Sequence, residues 1–434
     1  MRLRTNPIAA EAESTLRYTG WRVVTAAFFG VMVGYSVLIP YTFSLFIKPL
    51  SAEFGWRRDQ ISVALGCVAI TIAVCSPLIG RLLDVFGPRR TILPCLVIFG
   101  LGFASLSLLT SSLLHFYLTF ILLGLAGNGT TQLAYSRAVS TWFFAHRGMA
   151  LSLVSSGAGA GAMILPLLAS WLLHREGWRA AYAVLGLLVV AVGVPLTSVL
   201  VRESRGALPA RSGSIGSIAP ESIRSSVGTR PFLLLVAAIL FYSISFNGMI
   251  SHLSAVLTDR GISLATSAQA LSIMGGAGLA GRLSTGFLID RFFAVRVSLV
   301  FFVATAAGVL FLSLSSVPFA FLGSAIIGFA AGGESDITPF LLSRYFSLRR
   351  FSTLYGVAWT AFAVGTAIGP ILMGRLYAST GAYQSREIEL FALPTLLSAI
   401  LMALMPAYPT AVDYGGSDSL LAVAAPSHRV LSDL

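Results

Sequence analysis

Charge is what this chain has least of. Of its 434 residues only 11% are Asp, Glu, Lys or Arg, less than half the share of about 25% usual in a soluble domain. Lysine is nearly absent: Lys48 stands alone among 29 basic residues, the rest being arginine. Cysteine is scarce, and Cys67, Cys75 and Cys95 all fall inside apolar runs without disulfide or metal spacing, so they read as small core residues. No polar stretch is long enough for a catalytic domain, and no nucleophile–base or metal-ligand spacing occurs, so neither an enzyme nor a bound metal or cofactor is expected. Residues 1–21 are polar and lack the apolar core and small-residue cleavage site of a signal peptide, so the first apolar run is expected to stay in the protein. The net charge of +12 is scattered over short loops and forms no basic face, which argues against a nucleic-acid partner.

What fills the chain instead is apolar. Hydrophobic residues make up 56% and the mean hydropathy is +0.85. Runs long enough to cross a bilayer recur throughout, without the period-two alternation of barrel strands, so the expected fold is an all-α membrane protein. Twelve transmembrane helices are predicted near 22–46, 61–80, 91–110, 114–138, 148–173, 178–201, 231–257, 267–289, 296–315, 318–342, 353–377 and 389–408. The Ser-, Gly-, Pro- and Arg-rich segment 202–230 reads as a cytoplasmic linker between two six-helix halves, 22–201 and 231–408, with a cytoplasmic N-terminus at 1–21 and a tail at 409–434. Twenty of the basic residues fall on the side of the N-terminus and eight on the other. That asymmetry predicts that both termini are cytoplasmic, in a multi-pass protein of the cytoplasmic (inner) membrane.

The halves repeat one another. Gly80-x-Leu82-x-Asp84 recurs as Gly286-x-Leu288-x-Asp290, 206 residues on. Gly124 and Gly129 return as Gly328 and Gly333, and Gly161 and Pro166 as Gly365 and Pro370, each after 204 residues. Two parallel repeats predict pseudo-symmetric halves with a ligand held between them near the membrane midplane.

Ionisable groups inside the spans are the exceptions that point to function. Arg282 lies eight residues, roughly 12 Å, inside the charged end Asp290–Arg291 of its helix. Glu334 and Asp336 fall at a similar depth in the tenth span, where they are expected to pair with Arg282 or to carry protons. The stretch Asp336–Pro339 predicts a local break in that helix. Asn128 and Gln132, four residues apart, are expected to share one face of the fourth helix; they and Asn247 are candidate polar contacts for a ligand or for another helix. His252 is read as a solvated residue near the outer surface. Gly157, Gly159 and Gly161, and Gly365 and Gly369, form small-residue faces for close helix packing. Between the second and third spans, Gly80, Asp84, Gly87, Arg89 and Arg90 make a turn rich in opposed charge, a candidate latch whose ion pairs break and reform as the halves rock. The second copy keeps Asp290 and Arg291 but has Phe293 where the turn glycine would stand.

The run Gly80–Arg90, GRLLDVFGPRR, resembles the signature loop of the major facilitator superfamily at each of its characteristic positions. Pro40–Trp56, Ser140–Pro166, Ser343–Arg350, Tyr355-Gly356 and Gly374–Tyr383 resemble the bacterial branch of the monocarboxylate and oxalate:formate transporters. The resemblance implies a secondary transporter in which a mid-membrane arginine of helix 8, here Arg282, pairs with a substrate carboxylate. Tyr41 stands where the animal monocarboxylate transporters carry a lysine, Gly278 where they carry an aspartate, and Phe362 where the oxalate exchanger type has a second cation. One substrate-facing cation suits a monocarboxylate better than a dicarboxylate. The expected partners are therefore a small organic anion, protons or a counter-anion, and the lipid bilayer, with the protein a monomer. Proton coupling falls to Glu334 or Asp336, and the rival expectation is proton-coupled export of an apolar or cationic compound.

Overall fold

The computed structural model describes Thr15 and residues 18–143, 147–202, 228–314, 316–346 and 351–407; within them some side chains, those of Asp84, Asp290 and Asp336 among them, lie outside the described set. Most of the predicted linker and nearly all of both end segments also lie outside it. The described chain forms twelve antiparallel helical passes in two sets of six.

In the first half, α1 runs Thr19–Met32 and Tyr35–Phe54, α2 Arg58–Phe86, α3 Pro88–Ser105, α4 Leu113–Asn128 and Gln132–Ser140, and α5 Arg147–Arg175. α6 runs Gly177–Leu188, passes through a π-helical turn Val189–Gly193 and ends as Val194–Leu200. The second half comprises α7 (Arg230–Asp259), α8 (Leu264–Arg291), α9 (Ala294–Ser313), α10 (Val317–Tyr345), α11 (Phe351–Thr380) and α12 (Ser385–Leu390 with Ala392–Ala403). Among the described residues nine helices are long and apolar enough to cross a membrane by themselves. The others complete the bundle by packing: α4 and α12 are interrupted, and α8 carries Arg282 amid small residues.

Several helices outrun their apolar cores. α1 continues to Phe54 through Pro40 and Pro49, and α2 begins at Arg58, whose preceding residue Arg57 donates its backbone N–H to Gln60 at 2.9 Å. Hydropathy registers only the apolar part of such a helix, whereas capping sets its end.

The breaks fall elsewhere than expected. α10 is helical from Val317 to Tyr345, straight through Pro339, so the break predicted at Asp336–Pro339 does not form. Its glycines Gly328 and Gly332 lie so close to the Met274 and Gly278 carbonyls of α8 that a Cβ would have no room, and packing along α8 holds the helix in line. The interruptions that bear on the cavity are in α1, where Gly34 turns extended, and in α4 at Gly129–Thr131. They meet. Thr130 Oγ1 accepts the Tyr35 N–H at 3.1 Å, and a Cβ on Gly34 would sit 2.6 Å from the Thr130 carbonyl. The break in α4 thus supplies an acceptor for a backbone N–H freed by the break in α1, as a lipid environment requires.

Lipid tails are as apolar as leucine, so helix association inside each half depends on close fit. Gly157 and Gly161 of α5 rest on the Phe28 and Met32 carbonyls of α1. In the second half Gly365, the repeat mate of Gly161, and Gly369, both of α11, rest on the Leu240 and Ile244 carbonyls of α7. The predicted small-residue faces are thus the seams that join the helices of each half.

Candidate functional site

Where the halves face each other they enclose a central cavity of about 330 Å³, walled by α1, α2 and α5 on one side and α7, α8, α10 and α11 on the other. The repeat extends to its lining. Tyr41 and Asn247, Ala69 and Gly275, and Ile72 and Gly278 are lining pairs 206 residues apart, while Ser155 and Trp359, and Ala158 and Phe362, are pairs 204 apart. The symmetry is of backbone and not of chemistry. Arg282 and Glu334 both belong to the second half, and the residue 206 positions before Arg282 is Ser76, outside the lining.

Arg282, Glu334, Tyr41 and Asn247 are brought together in this wall. Arg282 projects from the middle of α8; Gly275 and Gly278 of the same helix also line the cavity, and their lack of side chains lets Ala162 of α5 and the Gly328 carbonyl of α10 pack closely against α8. Tyr41 lies within reach of the Arg282 charge, and Tyr242 within reach of Glu334. Thr338, one turn on along α10, donates its hydroxyl to Glu334 Oε1 at 2.9 Å. Asn247 donates to the Ser243 carbonyl and hydroxyl, both at 3.0 Å, and Ser243 in turn donates to the Phe362 carbonyl at 2.6 Å, tying α7 to α11 at the cavity wall.

Asn128 and Gln132 are placed differently from expectation. They do not share a face, because α4 is interrupted between them, and neither lines the cavity. Asn128 is buried and donates to the Ile72 carbonyl at 3.2 Å and Ser76 Oγ at 3.0 Å, joining α4 to α2. Gln132 donates to Ser155 Oγ of α5. Both act one layer back, holding Ile72 and Ser155, which do line the cavity.

One end of the cavity is sealed by a cluster of charged, aromatic and histidine side chains centred on Asp259. Asp259, the last residue of α7, receives Arg58 through two hydrogen bonds of 2.6 and 3.1 Å and Lys48 at 2.6 Å. Arg58 and Lys48 belong to the first half, so the cluster crosses between halves. The Arg58 guanidinium also lies 3.7 Å from the centre of the Tyr377 ring and 4.9 Å from that of Tyr383. Beneath it His252 is completely buried, and its ring nitrogens contact Tyr383 Oη at 2.6 Å, Ser62 Oγ at 2.8 Å and the Pro370 carbonyl at 3.0 Å. The expected solvated histidine is therefore part of the seal: hydropathy set it near a helix end, but Tyr383 and Pro370 of its own half and Ser62 of the other half cover it. Burial among these groups also pushes the Tyr383 phenol above its usual range. A signal existed in the repeat, since Asp259 lies 206 residues after Glu53. Glu53, however, accepts Trp178 Nε1 at 2.9 Å within its own half, so only the three-dimensional packing reveals the crossing partner.

The helices beneath the cluster approach closely. A Cβ on Gly374 of α11 would sit 2.6 Å from Asp59 Cα of α2, and one on Gly66 would sit 3.7 Å from Ala367 Cβ. On α5 and α8, Ser272 donates to the Met163 carbonyl at 2.6 Å. Toward the other end α2 and α11 part, and a Cβ on Gly80 or Gly356 would meet nothing within 4 Å. Among the described residues the molecule is thus shut at one end and spread at the other. The candidate latch lies at the spread end: Gly87 makes the turn, Arg89 and Arg90 are exposed, and Arg291 stacks over the Phe287 ring at 4.1 Å. The carboxylates of Asp84, Asp290 and Asp336 lie outside the described side chains.

Two six-helix halves around a midplane cavity, closed at one end only, define the architecture of a secondary transporter. The sequence profile described as Major Facilitator Superfamily matches residues 23–370, and the chain belongs to that family. It is 27% identical over 379 residues to an MFS-type transporter of Gibberella moniliformis, covering 84% of each chain. It is 28% identical to monocarboxylate transporter 13 of Bos taurus, covering 89% of each. Its fold matches that of a bacterial homologue of the human lysosomal transporter Spinster, solved in an inward-facing and occupied conformation, with a TM-score of 0.68 at 15% identity, covering 89% of this chain and 96% of that one.

Proposed function

We propose that this protein is a secondary active transporter of a small organic anion, a monocarboxylate, working by alternating access in the cytoplasmic membrane with both termini on the cytoplasmic side. The observation that carries the reading is Arg282 in the wall of the central cavity. A guanidinium is costly at that depth and presents a planar fork that fits a carboxylate. Tyr41 and Asn247 stand in the same wall as further polar contacts, and the similarity to a monocarboxylate transporter supports the same cargo. Proton symport or anion exchange then rests on Glu334, with Asp336 two residues on; a carboxylate beside the cargo site can take up a proton as the anion binds.

The test is uptake by the purified protein in proteoliposomes. Arg282→Ala is expected to lower carboxylate uptake at least about thirtyfold, and Arg282→Lys to restore only part of it, because an ammonium cannot make the bidentate contact. Glu334→Gln combined with Asp336→Asn is expected to abolish uptake driven by a proton gradient while exchange persists; undiminished proton-driven uptake overturns the coupling assignment. Glu334 in the cavity favours one rival, export of a cationic compound. Transport of such a compound that is indifferent to Arg282→Ala would select that rival.

A further inference from the structure

We propose that the carboxylate carried at this site is an aromatic acid, its ring lying against the Trp359–Phe362 pair of α11 while its carboxylate meets Arg282. The inference rests on the transport reading above and narrows it from any monocarboxylate to one with an aryl group.

Size is the first reason. A cavity of about 330 Å³ holds as much space as roughly ten water molecules. A two- or three-carbon acid bound to Arg282 would leave most of that space to disordered water, with little of its own surface in contact with protein. The volume falls at the lower end of the range of about 300–1,000 Å³ found for pockets that enclose larger organic ligands.

The wall is the second reason. Trp359 and Phe362 are stacked, with ring centres 5.2 Å apart and planes inclined by 13°. Tyr242 and Phe246 of α7 form a second parallel pair, 5.8 Å apart and inclined by 6°. All four line the cavity. Trp359 is 47% exposed although it stands in the wall, so much of the indole is uncovered by protein. Packing alone does not require these rings. The repeat mates of Trp359 and Phe362 are Ser155 and Ala158, and those of Tyr242 and Phe246 are Ser36 and Pro40, all lining the same cavity. At these four positions the first half satisfies the backbone symmetry without an aromatic ring, while the half that carries Arg282 has one at each. A ring so placed gains offset or edge contacts that an aliphatic chain does not.

The experiment uses the purified full chain in detergent, with phenylacetate, propionate and phenethylamine as probes. Binding is read by thermal shift and by quenching of tryptophan fluorescence, and transport by counterflow in proteoliposomes. Phenylacetate is expected to bind at least tenfold more tightly than propionate. Trp359→Leu is expected to weaken phenylacetate about tenfold while leaving propionate unchanged, and Phe362→Leu to act in the same sense through a different side chain. Equal or tighter binding of propionate overturns the aromatic assignment and leaves carboxylate transport standing. Equal loss of both acids in both leucine variants, with unchanged melting temperature, also overturns it. Binding of phenethylamine with neither acid bound overturns the carboxylate reading itself.

Discussion

Five glycines among the described residues have positive φ, and four of them form two pairs: Gly55 with Gly261, 206 residues apart, and Gly177 with Gly381, 204 apart. The fifth, Gly87, has Phe293 as its counterpart. At Gly87 the backbone takes φ 79° and ψ 163°, a region essentially closed to side-chain-bearing residues. In the other half the chain turns through Phe292 at φ −119° and Phe293 at φ −61°, both ordinary extended values. The repeat has therefore kept the turn and changed its chemistry. Gly87→Ala is expected to cost about 1–3 kcal/mol and to lower the melting temperature in detergent, whereas Phe293→Gly should change it far less. Equal sensitivity at the two positions would show that the turns are equivalent after all.

At the scale of elements, the broken helices and the charged seal carry the consequences. The breaks in α1 and α4 bring Tyr35 and Ser36 to the cavity wall and place Asn128 and Gln132 behind it. An unbroken α4 would have put those amides on one face, as their spacing suggests. The seal joins the end of α7 to the first half through a single carboxylate, Asp259, shared by Arg58 and Lys48. Arg58 is only 7% exposed, so removing its partner leaves a cation with little access to water. Asp259→Ala is expected to disfavour the closed end by about 2 kcal/mol, roughly thirtyfold in the conformational equilibrium. Spin labels placed on the loops around residues 56 and 382 should then show a longer distance population. An unchanged distribution would mean that the aromatic and histidine contacts hold the end shut without the ion pairs.

For the whole molecule, transport requires the closed end to open and the spread end to close, and the packing indicates where such rocking hinges on contact between halves. α2 meets α11 near Gly66 and Ala367 and separates from it toward Gly80 and Gly356. The 3.7 Å from a Cβ built at Gly66 to Ala367 Cβ matches the usual Cβ separation of about 3.8 Å in a disulfide. Gly66→Cys with Ala367→Cys, made after replacing Cys67, Cys75 and Cys95 by alanine, is therefore expected to cross-link under oxidation and to stop transport, with reduction restoring it. Full transport by the cross-linked protein would show that this seam need not open.

The twelve passes, the two halves and the place of Arg282 within an apolar helix were legible along the chain, because each follows from local composition. A helix that crosses a bilayer must be apolar along most of its length, a repeat preserves residue spacing, and a buried arginine stands out against its apolar neighbours. The first half's turn glycine could be read in the same way, since backbone conformation there depends on one residue. Partners were not legible. His252, Asn128 and Gln132 have the same local sequence whether they face solvent, cargo or another helix, and only the packing of distant segments distinguishes these. The Asp259 cluster, the aromatic wall around Trp359 and the continuity of α10 through Pro339 are likewise products of tertiary contact. Hydropathy reports the free energy of a segment in lipid, whereas a site depends on what two halves of the chain, some two hundred residues apart, bring to the same space.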